Sequence, residues 1–306
     1  MKKYFSNKTI EDYNLKNSFI DIYQKAVIAI CFLVSLTVML GWFLDIRFLL
    51  SILPESATMK FNTALIFFIA GINLVILRAN NKSFKKVYNF LAVTTIIIGV
   101  ITFIEYFDIS SFKFDNVFVE DNYSLENPGR MSPATALCSI LLGLGFLGNS
   151  SKIKIIKKLS EDTVLFVALI SLIALVSYFL MIPLEKRTYF FQSMAFHTSI
   201  VFFIISILLI LNNNSLYIIN LAKGKSESNK FFRKLLPKII YFPIALGSVL
   251  LVAINLDLVN STFGISSFIL ILIFINIIYI SHISKNYDVS NIKENVSKNT
   301  NKKDLQ

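Results

Sequence analysis

The sequence predicts an all-α polytopic integral membrane protein of eight transmembrane helices, built from three similar helical hairpins and a fourth pair. Three observations predict it. The chain of 306 residues is 55% hydrophobic, with 29 phenylalanines and a mean hydropathy of +0.66, which is too apolar for a water-soluble core inside a polar shell. Its apolar residues gather into eight stretches without Lys, Arg, Asp or Glu, and roughly 17–25 such residues cross the bilayer as a helix. Backbone groups in lipid must bond within their own segment, which favours helices over open strands. Third, 24 of the 30 Lys and Arg residues fall in alternate connections.

The stretches follow in order. Residues 26–44 form the first span, preceded by a polar segment, 1–25, that is too long for a signal-peptide leader and lacks a small-residue cleavage site. Spans two to six cover 61–77, 87–104, 132–147, 163–183 and 190–211, and the last two 239–256 and 258–284. The membrane module is thus 26–283, with a polar, disordered-looking tail at 284–306. Ser132-Pro133 reads as an N-cap followed by proline at the first helical position. Phe231 to Pro237 reads as an interfacial anchor with Pro237 near the first turn of helix seven.

Basic residues cluster before 26, around 78–86, in 152–158, in 223–238 and after 284, leaving only Arg47, Lys60, Lys113, Arg130, Lys186 and Arg187 on the other side. The positive-inside rule places both termini in the cytoplasm. It also makes the lysines topological, facing anionic lipid, so the bilayer and not nucleic acid is their partner.

A short motif recurs wherever the chain re-enters from the outer face: MKFNTAL from Met59, MSPATAL from Met131 and MAFHTSI from Met194. It divides the chain into units 26–77, 87–148 and 163–211. Thr63, Thr135 and Thr198 stand four residues after each Met, on the same helix side. Seven residues separate Ala64 from Gly71, Ala136 from Gly143 and Ser199 from Ser206, a spacing that lays small residues in one stripe. Such stripes let helices approach closely in lipid. Two readings of the motif stay open: a packing grammar, or corners enclosing a ligand site near the outer face. The first arm of each unit also ends in an aromatic ring, Trp42, Tyr106 or Tyr178, a residue type suited to the headgroup level.

The succession GWFL…LPESATMKFNTALIFFIAGINLVIL, IEYFDISSFKFDNVF…NPGRMSPATALCSILLGLGFL, VSYFLMIP…QSMAFHTSIVFFIISILL and FFRKLLP resembles the membrane-embedded N-terminal sensory module of bacterial sensor histidine kinases and cyclic-di-GMP synthesising proteins. The resemblance spans about residues 26–283 and implies a non-catalytic signal-transduction role, as in two-component systems, in the bacterial inner (cytoplasmic) membrane. Such modules normally feed a kinase or cyclase. The tail of about 22 residues holds no phosphoacceptor histidine, so the output is expected from a separate cytoplasmic kinase or cyclase, and a homodimer stays open.

The polar residues that could converge on a ligand are Glu105, Arg130, His197 and Asn62, together with the three motif threonines. Glu105 reads either as a functional carboxylate at membrane depth or as a solvated interfacial one beside Asp108. Arg130 reads as snorkelling to outer headgroups, with contact to Glu105 or an anionic ligand as the other choice. His197 reads as a polar anchor or as a ligand-binding group. The longest outer connection carries Phe112, Phe114, Phe118 and Tyr123, expected to lie back on the membrane surface.

Other chemistry finds no foothold. Two His and two Cys without CxxC, HxxxH or HExxH spacing give no metal cluster, and Cys31 and Cys138 fall at different depths, as packing residues rather than a disulfide. There is no nucleophile elbow, phosphate loop or paired intramembrane aspartate, so no cofactor and no catalytic residue is assigned. A scaffold or assembly subunit, packing its small-residue stripes on another membrane protein, stays as an alternative. A transporter fits less well, because the repeats run parallel and the spans lack midplane charges.

Overall fold

The computed structural model describes residues 2–53, 56–107, 115, 117–124, 127–151, 153–212, 227–261 and 263–276. The described residues form helices and connections without a strand, and six helices are long and apolar enough to cross a membrane. The chain is a helical membrane protein. It divides into two compact units, residues 1–219 and 220–306.

The first unit contains α1 (Lys2–Phe43), α2 (Phe61–Ala79), α3 (Lys85–Glu105), α4 (Pro133–Ser150), α5 (Lys154–Phe179) and α6 (Phe196–Asn212). Each helix touches its neighbour in sequence and α6 touches α1, so the six close a ring. The seam is fastened where the Tyr23 hydroxyl donates to the Ile204 carbonyl at 3.1 Å. Burial separates inner from outer helices: in their most apolar stretches 56% of α2 and 61% of α4 are buried, against 33% for each of α1, α3 and α5. The inner helices meet where Phe67 of α2 packs edge-on against Phe202 of α6, with ring centroids 4.8 Å apart. The helices that begin at the Met motif are therefore the interior of the bundle, and those before them face outward.

Local chemistry sets the helix ends. Ser132 accepts the Thr135 amide at 3.1 Å and Pro133 takes the first turn, so α4 starts as its sequence predicts. Ser132 also pairs with the Thr135 hydroxyl at 2.8 Å, so this threonine bonds its own cap rather than a carbonyl one turn back. Asn80 ends α2 in the left-handed conformation, donating its amide to Ile76 and Leu77. The first helix differs from the sequence reading, because it runs unbroken from Lys2 through the polar leader.

The small-residue stripes of α2 and α4 pack each of these helices on the helix before it. A Cβ at Gly71 would lie 3.3 Å from the Cys31 Cβ of α1, and one at Gly143 would lie 2.8 Å from the Ala92 carbonyl of α3. Gly99 answers from α3, where a Cβ would come within 2.8 Å of the Ala136 carbonyl. Ser206 is buried on α6, its hydroxyl turned back to Phe203. Because the Ala92 carbonyl and the Ile96 amide obstruct Gly143 along with the Ile96 side chain, Gly143→Ala is expected to cost about 1–3 kcal/mol. At Gly71 the neighbours are side chains at 3.2–3.3 Å, and Gly71→Ala is expected to cost less. Thermal unfolding of both variants in detergent checks the order; equal losses would show that α3 and α4 can separate without cost. Cys31 and Cys138 are buried free thiols.

In the second unit one helix spans Glu227–Asn255 and another Phe263–Asn276. Pro237 and Pro243 lie inside the first, which corrects the reading of Pro237 as a first-turn residue. The helix starts at Glu227, ten residues before Pro237, and an apolar helix tolerates an interior proline where neighbouring groups re-satisfy the freed backbone. The tail 284–306 and His282 lie outside the described residues, as do Phe112 and Phe114.

Candidate functional site

The three connections that precede the Met motifs converge at one end of the first unit, here termed the cap. They enclose a cavity of about 370 Å3 lined by Arg47, Ser56, Thr58 and Lys60 from the first, Tyr106, Tyr123, Asn127 and Arg130 from the second, and Glu185, Tyr189 and Gln192 from the third. That volume falls in the range of about 300–1,000 Å3 usual for small-molecule sites. Most of its lining residues carry a polar or charged side chain.

The floor of the cap is built the same way three times. Trp42 Nε1 donates to the Met59 carbonyl at 2.9 Å, Tyr106 to Met131 at 2.8 Å and Tyr178 to Met194 at 2.8 Å. A cation lies over each ring: Lys60 at 6.0 Å from Trp42, Arg130 at 5.1 Å from Tyr106 and Arg187 at 3.8 Å from Tyr178. Each aromatic satisfies a carbonyl just ahead of an inner helix and so ties the end of an outer helix to the start of the next. The three methionines are buried beneath these contacts. Trp42 is itself only 5% exposed, which corrects the headgroup reading of that ring: its N–H serves the protein rather than lipid.

Arg130 is buried, and its snorkelling role is overturned. Its Nε donates to Asp115 at 2.7 Å, while Nη1 donates to the Glu105 carbonyl and to Asn127 Oδ1, both at 3.2 Å. The Glu105 carboxylate stands 4.0 Å from Nε and is buried, so it is not a solvated interfacial group. Two carboxylates beside one guanidinium explain why the arginine folds inward rather than toward headgroups. Burial pulls its pKa down, but the hydrogen bond and charge of Asp115 outweigh this and hold it above the ordinary value.

Lys60 forms the second buried pair. Its ammonium donates to Asp121 Oδ2 at 2.6 Å, to Thr58 Oγ1 at 3.3 Å and to the Ser124 hydroxyl. Asp121 also accepts from the amides of Gly129 at 2.7 Å and Tyr123 at 2.9 Å. Burial alone would raise the Asp121 pKa, yet Lys60 and the two amides together hold it below the ordinary value. For Lys60 burial prevails over the attraction of Asp121 and lowers the pKa. Burial likewise pushes the Tyr106 phenol up.

Among the sequence candidates the structure brings Glu105 and Arg130 together at the cap. Asn62, Thr63, Thr135, Thr198 and His197 do not line the cavity; they are buried in the bundle. Among the described residues the Asn62 carboxamide and both His197 ring nitrogens make no hydrogen bond. Tyr123 does not lie on a membrane surface as expected: its hydroxyl reaches the Asp45 carboxylate at 2.5 Å and its ring lies 5.9 Å from Trp42. Phe118 stacks on Phe61 at 5.3 Å. Sequence reasoning missed Lys60, Asp115, Asp121, Asn127, Tyr189 and Gln192. One signal was present, since Lys60 and Arg130 each adjoin a motif Met on the side that is otherwise poor in cations.

Compared with protein-family models, curated proteins and solved structures, the chain gives no match.

Proposed function

We propose that the chain is a non-catalytic membrane sensor that receives a polar small molecule in the cap cavity and passes the event to its helices. In this reading eight spans, as three like hairpins and a fourth pair, cross the bacterial inner membrane. The cap faces the periplasm and both termini the cytoplasm, where a separate kinase or cyclase supplies the output. The repeated aromatic-to-Met carbonyl bond supports the three-hairpin reading, and the charge asymmetry of the connections supports the orientation.

The observation that carries the proposal is the convergence of three connections on one polar cavity whose walls are tied to the starts of α2, α4 and α6. A ligand that touches all three connections can prefer one relative placement of the hairpins over another. Differential affinity of that kind is what a switch requires.

The test uses the full chain in nanodiscs, with spin labels at the opposite end of the bundle on residues 81 and 151. A polar ligand that binds the cap is expected to change the label distance, and Tyr106→Phe is expected to keep binding but shrink that change. Binding without any distance change, together with stable capture of a membrane enzyme, would replace the sensor by a scaffold. Ligand flux across sealed vesicles would replace it by a transporter.

A further inference from the structure

We infer that the cap cavity takes a neutral, multiply hydroxylated ligand of saccharide or cyclitol type, not the anion that its three lining bases suggest. The inference rests on reading this cavity as the receiving site. Charge is the first argument. Lys60 and Arg130 are matched by Asp121 and by Asp115 with Glu105, and the exposed Arg47 shares the lining with the exposed Glu185. Those acids already balance the bases, so an incoming anion finds no spare positive charge and meets the field of buried carboxylates. An ammonium has three N–H donors, and Lys60 spends all of them on Thr58, Asp121 and Ser124.

The hydrogen-bonding groups left over are the second argument. Arg130 Nη2 makes no protein hydrogen bond among the described residues. The Gln192 carboxamide, half-buried in the wall, makes no hydrogen bond among the described residues. The Tyr189 oxygen accepts from Asn127 Nδ2 at 3.4 Å, and its own O–H has no acceptor among the described residues. The cavity thus presents donors and acceptors side by side, which a hydroxyl satisfies because it both gives and takes a hydrogen bond. Tyr106 and Tyr189 meet edge to face with centroids 5.8 Å apart, and their rings supply an apolar wall for the C–H face of a sugar ring.

Calorimetric titration of the full chain in nanodiscs tests this with glucose, maltose and myo-inositol, beside inorganic phosphate and glycine betaine. At least one sugar or cyclitol is expected to bind saturably. Gln192→Ala and Tyr189→Phe are each expected to weaken it roughly fivefold to tenfold, with the unliganded melting temperature unchanged because both side chains are at least partly exposed. Tighter binding of phosphate, or binding of betaine alone, would overturn the ligand class and leave the cavity as a receiving site. Saturable sugar binding that ignores both substitutions would overturn the assigned contacts. Absence of saturable binding by every probe would remove the ligand class and the receiving site together.

Discussion

Arg130→Met is expected to destabilise the first unit by about 3–5 kcal/mol, as removal of one partner from a buried ion pair does. The guanidinium is the counter-charge for Asp115 at 2.7 Å and for Glu105 at 4.0 Å, and all three side chains are nearly inaccessible. Methionine fills the volume but leaves two buried carboxylates without their cation. Arg130→Lys is expected to recover only part of the loss, because an ammonium cannot hold Asp115, Asn127 and the Glu105 carbonyl with one planar fork. Replacing Asp115 by Leu together with Arg130→Met is expected to restore more than the lysine does, since a buried pair exchanged for apolar groups is often neutral. Chemical denaturation in mild detergent measures the series. A loss below about 1 kcal/mol for Arg130→Met would mark the pair as solvent-screened, like a surface salt bridge.

This cluster also shows what could be read from the sequence and what could not. The apolar runs and the alternation of lysines gave the membrane-spanning helices, because burial in lipid leaves a signal in every residue of a span. The Met motif gave the helix starts that now sit above the inner helices, and the Gly71 and Gly143 stripe gave contacts that the structure contains. The fate of Arg130 was not legible, because its partners lie 15 and 25 residues away across an irregular connection. Hydropathy has nothing to say about such a pairing. For an isolated arginine near a span, snorkelling is the cheaper conformation; two nearby carboxylates reverse the preference. Asn62 and His197 failed as cavity residues for a geometric reason. They are the second residues of their helices and buried, while next to the Met residues the cavity is lined by Thr58, Lys60, Arg130 and Ser193.

The same geometry explains how an event at the cap can reach the helices. Arg130 contacts the cavity, the Tyr106 ring and the two acids at once, and Tyr106 holds the carbonyl of Met131. Movement of the guanidinium therefore shifts a group bonded two residues ahead of α4. Lys60 stands likewise between the cavity and Trp42, next to Met59. Polar walls and helix starts are linked by single side chains, without an intervening layer that could absorb a displacement.

Lys60→Met is expected to have the second large effect, near the lower end of about 3–5 kcal/mol, because Asp121 keeps its two amide donors after the ammonium is gone. Acid dependence separates the pair from general loss of packing. Asp121 is held below its ordinary value of 3.8 in the folded protein, so its contribution is fully present above that value and lost as pH falls through the lower folded one. Wild-type stability is therefore expected to hold near pH 4 and decline below it. Lys60→Met should shrink that decline, since removal of the largest force favouring the carboxylate lets the folded value of Asp121 rise toward the ordinary one and narrows the interval between them. Asp121→Asn should flatten this limb. Unfolding curves between pH 2.5 and 5, read by tryptophan emission from Trp42, follow the cap directly, because the indole bonds Met59 and lies 5.9 Å from the Tyr123 ring. An acid decline of unchanged size in Lys60→Met would show that the two backbone amides alone keep Asp121 ionised, and that Lys60 serves the cavity rather than the fold.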